Sequence, residues 1–142
     1  MVVTTPGMAG FLLRFERLLP YPVERVWWAL TDRGALAAWF MATDFAPVVG
    51  HRFTIRGTVV PGWRGWTDCE VLALEPPRRM VWSFLSTPAG PPTRVVFTLD
   101  AAGDGTRLTL RHDGETDAMT EGLLRTGWAG FLDRLPALLD SP

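Results

Sequence analysis

The stretch that decides the fold is residues 124–138, LRTGWAGFLDRLPAL. Leu124, Trp128, Phe131, Leu135 and Leu138 step by 4, 3, 4 and 3, the spacing that lines one face of an α-helix. Arg125, Asp133, Arg134 and Asp140 fall on the rest of the circumference. The spacing predicts one amphipathic helix of roughly four turns. Pro136 removes a backbone hydrogen bond and should bend it near its end, at a cost of roughly 3 kcal/mol. A helix with one apolar stripe needs an apolar surface to lie on.

The chain before it supplies that surface. From Phe53 to about residue 113 the pattern alternates as in β-strands, with Phe53 and Ile55 set between Arg52, Thr54 and Arg56. Pro61-Gly62 marks a turn. Trp66 to Leu74 is the next strand, ended by Pro76-Pro77, and Met80, Trp82 and Phe84 then share one face of another. The loop at 88–92 is too rich in proline to join a ladder. Val95, Phe97 and Leu99 line a further strand. After the hairpin connection at 101–105, Leu108 and Leu110 point inward on its partner, and His112 falls on the same inward series.

Working back to the start, Phe11 to Leu19 reads as a first strand, stopped by Pro20 and Pro22. Pro22 fits the first turn of a helix, where its missing N–H costs nothing. Val23, Val26, Trp27 and Leu30 then follow helical spacing. Thr31 or Asp32 can cap a second short helix running to about Phe40, with Leu36, Trp39 and Phe40 on its buried side. Residues 1–10 are expected to form a loose leader, with residues 11–142 as one domain. Strand, two short helices, a run of antiparallel strands and a final helix is an α+β order. Five or six twisted strands curl around such a helix, and a curved sheet cannot touch a straight rod everywhere. Space between them is therefore expected.

Composition narrows the function. The chain has 142 residues and is 47% hydrophobic and 20% charged, enough apolar material for a real core. Its 14 basic residues are all arginine, scattered rather than clustered, and the net charge is −1, which argues against a nucleic-acid partner. The single Cys69 cannot form an internal disulfide, and one Cys with two His makes a structural zinc site a poor fit. No secretory signal and no apolar run of membrane-spanning length is present, so a soluble cytoplasmic protein is expected. Nucleophile elbows, phosphate-cradling loops, dinucleotide fingerprints and paired zinc histidines are all missing, so neither a cofactor nor a metal is expected.

The run Arg17-Leu-Leu-Pro-Tyr-Pro-Val-Glu-Arg-Val-Trp27, followed by Ala29 to Asp32 and Trp39, resembles the opening of the START-like (SRPBCC) superfamily. It is most similar to the branch named for the heat-shock-protein-ninety ATPase activator. Val71 with Pro76-Pro77, Met80-Val81-Trp82, Thr106 to Leu110, His112-Asp113-Gly114, and Gly127-Trp128 with Leu132 and Leu135 extend the resemblance along nearly the whole chain. It implies a helix-grip fold with an apolar pocket between helix and sheet. Members of the superfamily bind lipids, sterols, polyketides and plant hormones, and a minority are cyclases, dehydratases or hydrolases. The branch name adds a chaperone-cofactor or stress-response role as an alternative. Fold is set by such a resemblance far better than function.

The residues expected around a ligand are Trp39, Phe40, Phe53, Ile55, Trp82, Phe84, Phe97, Leu110, His112, Leu124, Trp128 and Phe131. No catalytic residue is assigned, except that His112 would be the acid or base if the protein were an enzyme, since its pKa lies nearest neutrality. The bland alternative is a core histidine held by hydrogen bonds. Trp39, Phe40 and Met41 read either as a pocket gate or as a cap closing the core. Gly127 leaves a bare patch of helix that can admit a ligand or a strand. On residues 66–72, Cys69 and Val71 make the more comfortable inward pair, with Asp68 and Glu70 outward. Trp28, Trp63 and Trp66 are the candidates for an exposed interaction patch or a homodimer contact.

Overall fold

A computed structural model describes residues 7–87 and 90–141. Residues 1–6 of the expected leader, and Pro88 and Ala89 of the expected loop, lie outside the described residues. Among the described residues seven strands and four helices follow in the order β1 (Ala9–Leu19), α1 (Val23–Thr31), α2 (Arg33–Trp39), β2 (Ala42–Thr43), β3 (Arg52–Arg56), β4 (Trp66–Glu75), β5 (Arg79–Leu85), β6 (Thr93–Ala102), β7 (Gly105–Thr116), α3 (Ala118–Leu132) and α4 (Leu135–Asp140). The strands form one antiparallel sheet in the order β1-β7-β6-β5-β4-β3-β2. The seventh strand is the two-residue β2, too short to leave a pattern in the sequence. Strand β1 starts at Ala9, two residues before the expected Phe11.

The alternation read from the sequence sets the faces. Leu13, Phe53, Ile55, Val71, Trp82, Phe97, Leu108 and Leu110 are all buried on the concave side. Burying each such side chain stabilises the fold by roughly 1.5–3 kcal/mol. On β4, Cys69 and Val71 face in while Asp68 and Glu70 reach outward to Arg64 and Arg52. A bulge between Val71 and Ala73 leaves Leu72 exposed.

The two short helices form as expected. Asp32 is the cap of α2, its carboxylate accepting the Ala35 N–H at 2.9 Å, while the Thr31 hydroxyl donates back to the Trp27 carbonyl. The Trp39 indole donates to the Ala29 carbonyl at 2.7 Å, which satisfies one of the free acceptors at the end of α1.

The C-terminal helix differs from the single rod that the spacing predicts. It begins at Ala118, capped by the Asp117 carboxylate on the Thr120 N–H at 2.7 Å, and it ends at Leu132. A separate helix, α4, follows. The cause is Pro136: a proline here has no N–H for the Leu132 carbonyl, and its ring would strike that carbonyl in a continuous helix. The chain breaks at Asp133 and Arg134, and Pro136 falls in the first turn of α4. The buried stripe is correspondingly Trp128, Leu132, Leu135 and Leu139, with Leu124, Phe131 and Leu138 only half-buried. The break turns α4 toward α1, where Arg25 donates to the Leu139 and Ser141 carbonyls.

Because Pro136 sits where no helical N–H is needed, it carries little of the ~3 kcal/mol penalty of a mid-helix proline. Pro136→Ala should lower stability only by about 0.4–1 kcal/mol, through a freer unfolded chain. Urea denaturation reads this directly. A gain of several kcal/mol would mean that the proline strains a continuous helix.

Candidate functional site

A cavity of about 190 Å³ lies between α3 and the sheet. Helix α3 contributes Thr120, Leu123, Leu124, Gly127, Trp128 and Phe131. Phe40 and Met41 close one side from the junction of α2 and β2. Thr67 on β4, with Phe84 and Ser86 at the end of β5, forms the floor, and Thr58, Val60, Gly62 and Trp63 of the β3–β4 connection form the outer wall. Thr58, Val60, Gly62 and Leu123 are exposed, so the mouth is on this side.

The outer wall is built by local geometry. Val60 and Trp63 exchange two backbone hydrogen bonds, 3.0 and 3.3 Å, around Pro61-Gly62. Gly62 has φ of +90°, which the third position of such a turn requires and an L side chain resists. A Cβ there would also collide with the side chain of Met119, so the turn rests on α3. Gly127 opens the opposite wall, since a Cβ at this position would touch only the ring of Phe131, at 3.6 Å.

The polar groups of the cavity gather in one corner. The Trp63 indole donates to the Thr67 hydroxyl at 3.2 Å and to the Trp66 carbonyl at 3.2 Å, and the Thr67 and Ser86 hydroxyls are 3.0 Å apart. The Thr120 hydroxyl is committed to Asp117. A hydroxyl pair in an otherwise apolar lining can orient one oxygen or nitrogen of a guest.

Of the residues expected around a ligand, the fold brings Phe40, Phe84, Leu124, Trp128 and Phe131 to this cavity. Trp39, Phe53, Ile55, Trp82, Phe97 and Leu110 do not line it; they are buried core. Met41, read as part of a gate or a cap, lines it too, and Thr58, Val60, Gly62, Trp63, Thr67, Ser86, Thr120 and Leu123 line it without having been expected there.

His112 is also away from the cavity, completely buried on β7. Its Nδ1 receives the Trp128 indole N–H at 3.0 Å. Since indole is only a donor, Nδ1 must be the unprotonated nitrogen, and Nε2–H donates to the Thr93 hydroxyl at 2.7 Å. Thr93 in turn donates to the Phe84 carbonyl at 2.9 Å. Phe11, Phe84 and Trp128 pack edge-on around the imidazole. Burial pushes the pKa of His112 down to about 3, so the ring is neutral. Both nitrogens are occupied, and nothing in the arrangement offers His112 to a substrate.

Other candidate features resolve as ordinary structure. His51 bonds the Asp44 carbonyl at 2.9 Å. Cys69 is buried and free, its thiol pKa raised by burial. Trp28 and Trp66 are partly exposed, each beneath an arginine: Arg25 at 4.5 Å and Arg64 at 4.4 Å from the ring centre. Among the described residues no cluster of three His, Cys, Asp or Glu could hold a metal ion, and no helix is long and apolar enough to cross a membrane.

Comparison with known proteins agrees with this architecture. No curated protein matches the chain. Among solved structures it is similar to MLL2253 from Mesorhizobium loti, at 34% identity and a TM-score of 0.80, covering 92% of this chain and 97% of that one. DynU16, a protein in the dynemicin biosynthetic locus, is similar at 30% identity and a TM-score of 0.75, over 92% of this chain and 47% of its own. CalU16 from Micromonospora echinospora matches at 27% identity and a TM-score of 0.70, covering 97% and 82% respectively. The family model described as "Activator of Hsp90 ATPase homolog 1-like protein" matches residues 20–140, and the chain belongs to that family, with its START-like helix-grip fold.

Proposed function

We propose that this protein binds a small apolar molecule, one or two rings in size, in the cavity between α3 and the β3–β4 connection. The observation that carries this reading is the cavity itself: about 190 Å³, walled by Phe40, Phe84, Trp128 and Phe131, with the Thr67–Ser86 pair as its polar corner. An apolar space of ~150 Å³ is enough for benzene, whereas drug-sized ligands occupy roughly 300–1,000 Å³. The size favours an aromatic or compact polyketide-type fragment over a long acyl chain. Membership of a START-like family and the position of DynU16 in a biosynthetic locus support the same ligand class.

The enzyme alternative depended on His112, which is outside the cavity and fully hydrogen-bonded; catalysis through it has no route to a guest. The chaperone-cofactor and homodimer alternatives called for exposed apolar surface at Trp28, Trp63 and Trp66. Trp28 and Trp66 are exposed to 37% and 40%, each with an arginine stacked on one face, and Trp63 lines the cavity.

Titration with 1-naphthol, followed calorimetrically and by thermal shift, tests the binding reading. Gly127→Leu should fill the cavity and weaken binding at least about tenfold, while a Gly-to-Leu change in a helix raises stability by ~0.5–1 kcal/mol. Affinity and stability moving in opposite directions identify a filled site rather than a damaged fold. Absence of binding to the unaltered protein would defeat the proposal.

The histidine makes a separate prediction. Its folded pKa of about 3 lies below the unfolded value of 6.5, so between those limits the unfolded chain holds a proton that the folded chain excludes. Stability should therefore fall as pH falls through this window, by up to about 1.4 kcal/mol per unit. The Thr54 N–H on Asp44 and the Thr120 N–H on Asp117 hold those carboxyls below 3.8, so their contribution is complete only about a unit above that value and fades as pH falls through it. The slope from about pH 5 to 6 thus reports His112. In His112→Gln it should flatten, as measured by urea denaturation; an unchanged slope would show that His112 titrates normally.

A further inference from the structure

Trp82 holds the one buried side-chain polar atom without a hydrogen-bond partner among the described residues, its indole Nε1–H. The residue is fully buried on β5, within 6.2, 5.8, 5.0 and 4.8 Å of the ring centres of Phe40, Phe45, Phe53 and Phe97. None of these rings is a conventional acceptor. A donor left in this condition is unfavourable, and buried tryptophans ordinarily find a partner. In this chain Trp39, Trp63 and Trp128 all do. Trp82 is the exception.

Its surroundings say where an acceptor could come from. Of the four rings around Trp82, only Phe40 also lines the cavity. Phe40 lies parallel to Trp128, with 3° between the planes and 5.0 Å between centres. Phe40 thus borders both the open space and the ring cluster around Trp82. It is carried at the junction of α2 and β2, outside the regular elements. The Trp128 N–H beside the cavity is already paired with His112, and the Thr67 and Ser86 hydroxyls are paired with each other.

We propose that Phe40 is a displaceable gate and that the binding site continues behind it to Trp82, whose Nε1–H donates to an oxygen of a planar aromatic ligand. The ligand's ring takes the place of Phe40 on the face of Trp128, so that stack is exchanged rather than lost. A carbonyl or ether oxygen on the inner edge then satisfies the unpartnered donor. This rests on the cavity being a binding site and extends it: the ligand class becomes a polycyclic aromatic carrying an acceptor oxygen, larger than the 190 Å³ cavity admits with the gate closed.

Fluorenone and fluorene are a matched pair for the test, the same three-ring plane with a carbonyl in one and a methylene in the other. Calorimetric titration should show fluorenone binding about tenfold tighter, the worth of one such hydrogen bond. Trp82→Phe, which keeps a ring and removes the N–H, should bring the ratio to about one. Phe40→Ala should raise affinity for both compounds and leave the ratio intact. If Trp82→Phe does not fold, the indole N–H signals of the unaltered protein decide: that of Trp82 should move downfield with fluorenone and stay in place with fluorene. Failure of both compounds to bind, equal affinities, or a fluorenone preference that survives Trp82→Phe would overturn the proposal. If 1-naphthol still binds and Gly127→Leu still blocks it, such a failure removes the gate alone and leaves the outer cavity as the site. If 1-naphthol does not bind either, both readings fall.

Discussion

Trp128 fixes the distance between α3 and the sheet, and the cavity follows from that distance. Its indole is buried, donates to His112 Nδ1 at 3.0 Å, lies flat on Phe40 and meets Phe97 edge-on at 6.1 Å. A ring of this size holds the helix axis away from the strands. On the C-terminal side of Trp128 the gap is filled by Leu132 and then by Leu135 of α4. On the N-terminal side α3 presents Thr120, Leu124 and Gly127, and the sheet side presents Thr67 and Ser86. Thr120 and Gly127 on one wall and Thr67 and Ser86 on the other are small, and they leave space between the larger rings. The hollow is therefore a consequence of one large anchor next to several small side chains.

The hydrogen bond to His112 makes that anchor specific. An indole in a purely apolar core could slide or tilt at little cost, but here its N–H has one acceptor and that acceptor is itself locked. His112 pairs with Leu13 on β1 and Val95 on β6. Slipping β7 by one residue would send the imidazole to the solvent face and leave the Trp128 N–H and the Thr93 hydroxyl without partners. Each orphaned group costs on the order of 1–3 kcal/mol. The relay thus couples strand register to helix position, a task that requires the neutral ring which burial enforces. A histidine in this role resembles a catalytic one in sequence, since both sit on an inward strand face.

What could be read from the sequence followed the range of each interaction. Alternation on β3, β5, β6 and β7 was legible because period-two burial is local, and so was the order of elements. The break at Asp133 and Arg134 was half legible: Pro136 announced a disturbance, but whether it bends a helix or divides one depends on α4 finding α1 to pack on. The site was legible only where it lies on a periodic element. Leu124, Trp128 and Phe131 come from the helix stripe, and Phe84 from the strand pattern. Val60 and Trp63 come from a connection with no periodicity, and they reach the cavity only because the Pro61-Gly62 turn rests on Met119. Nothing in residues 57–65 alone announces that contact. His112 and Trp82 were visible as unusual inward residues, but their partners were not, since each partner lies on another element.

The cavity also bears on why the chain tolerates an imperfect core. Empty apolar volume lowers stability by ~24 cal/mol per Å³ in a closed interior. For about 190 Å³ that is a few kcal/mol at most, discounted because the mouth is open to water. A larger residue at Gly127 would recover part of it, and the helix would gain from losing a glycine. The same sequence fills the space around Trp82 so closely with phenylalanines that its N–H is left unpaired. Close packing and open space within one aromatic cluster, both bordered by the ring of Phe40, are not what uniform optimisation of a scaffold yields. They fit the proposal made above, in which part of the aromatic surface takes a guest.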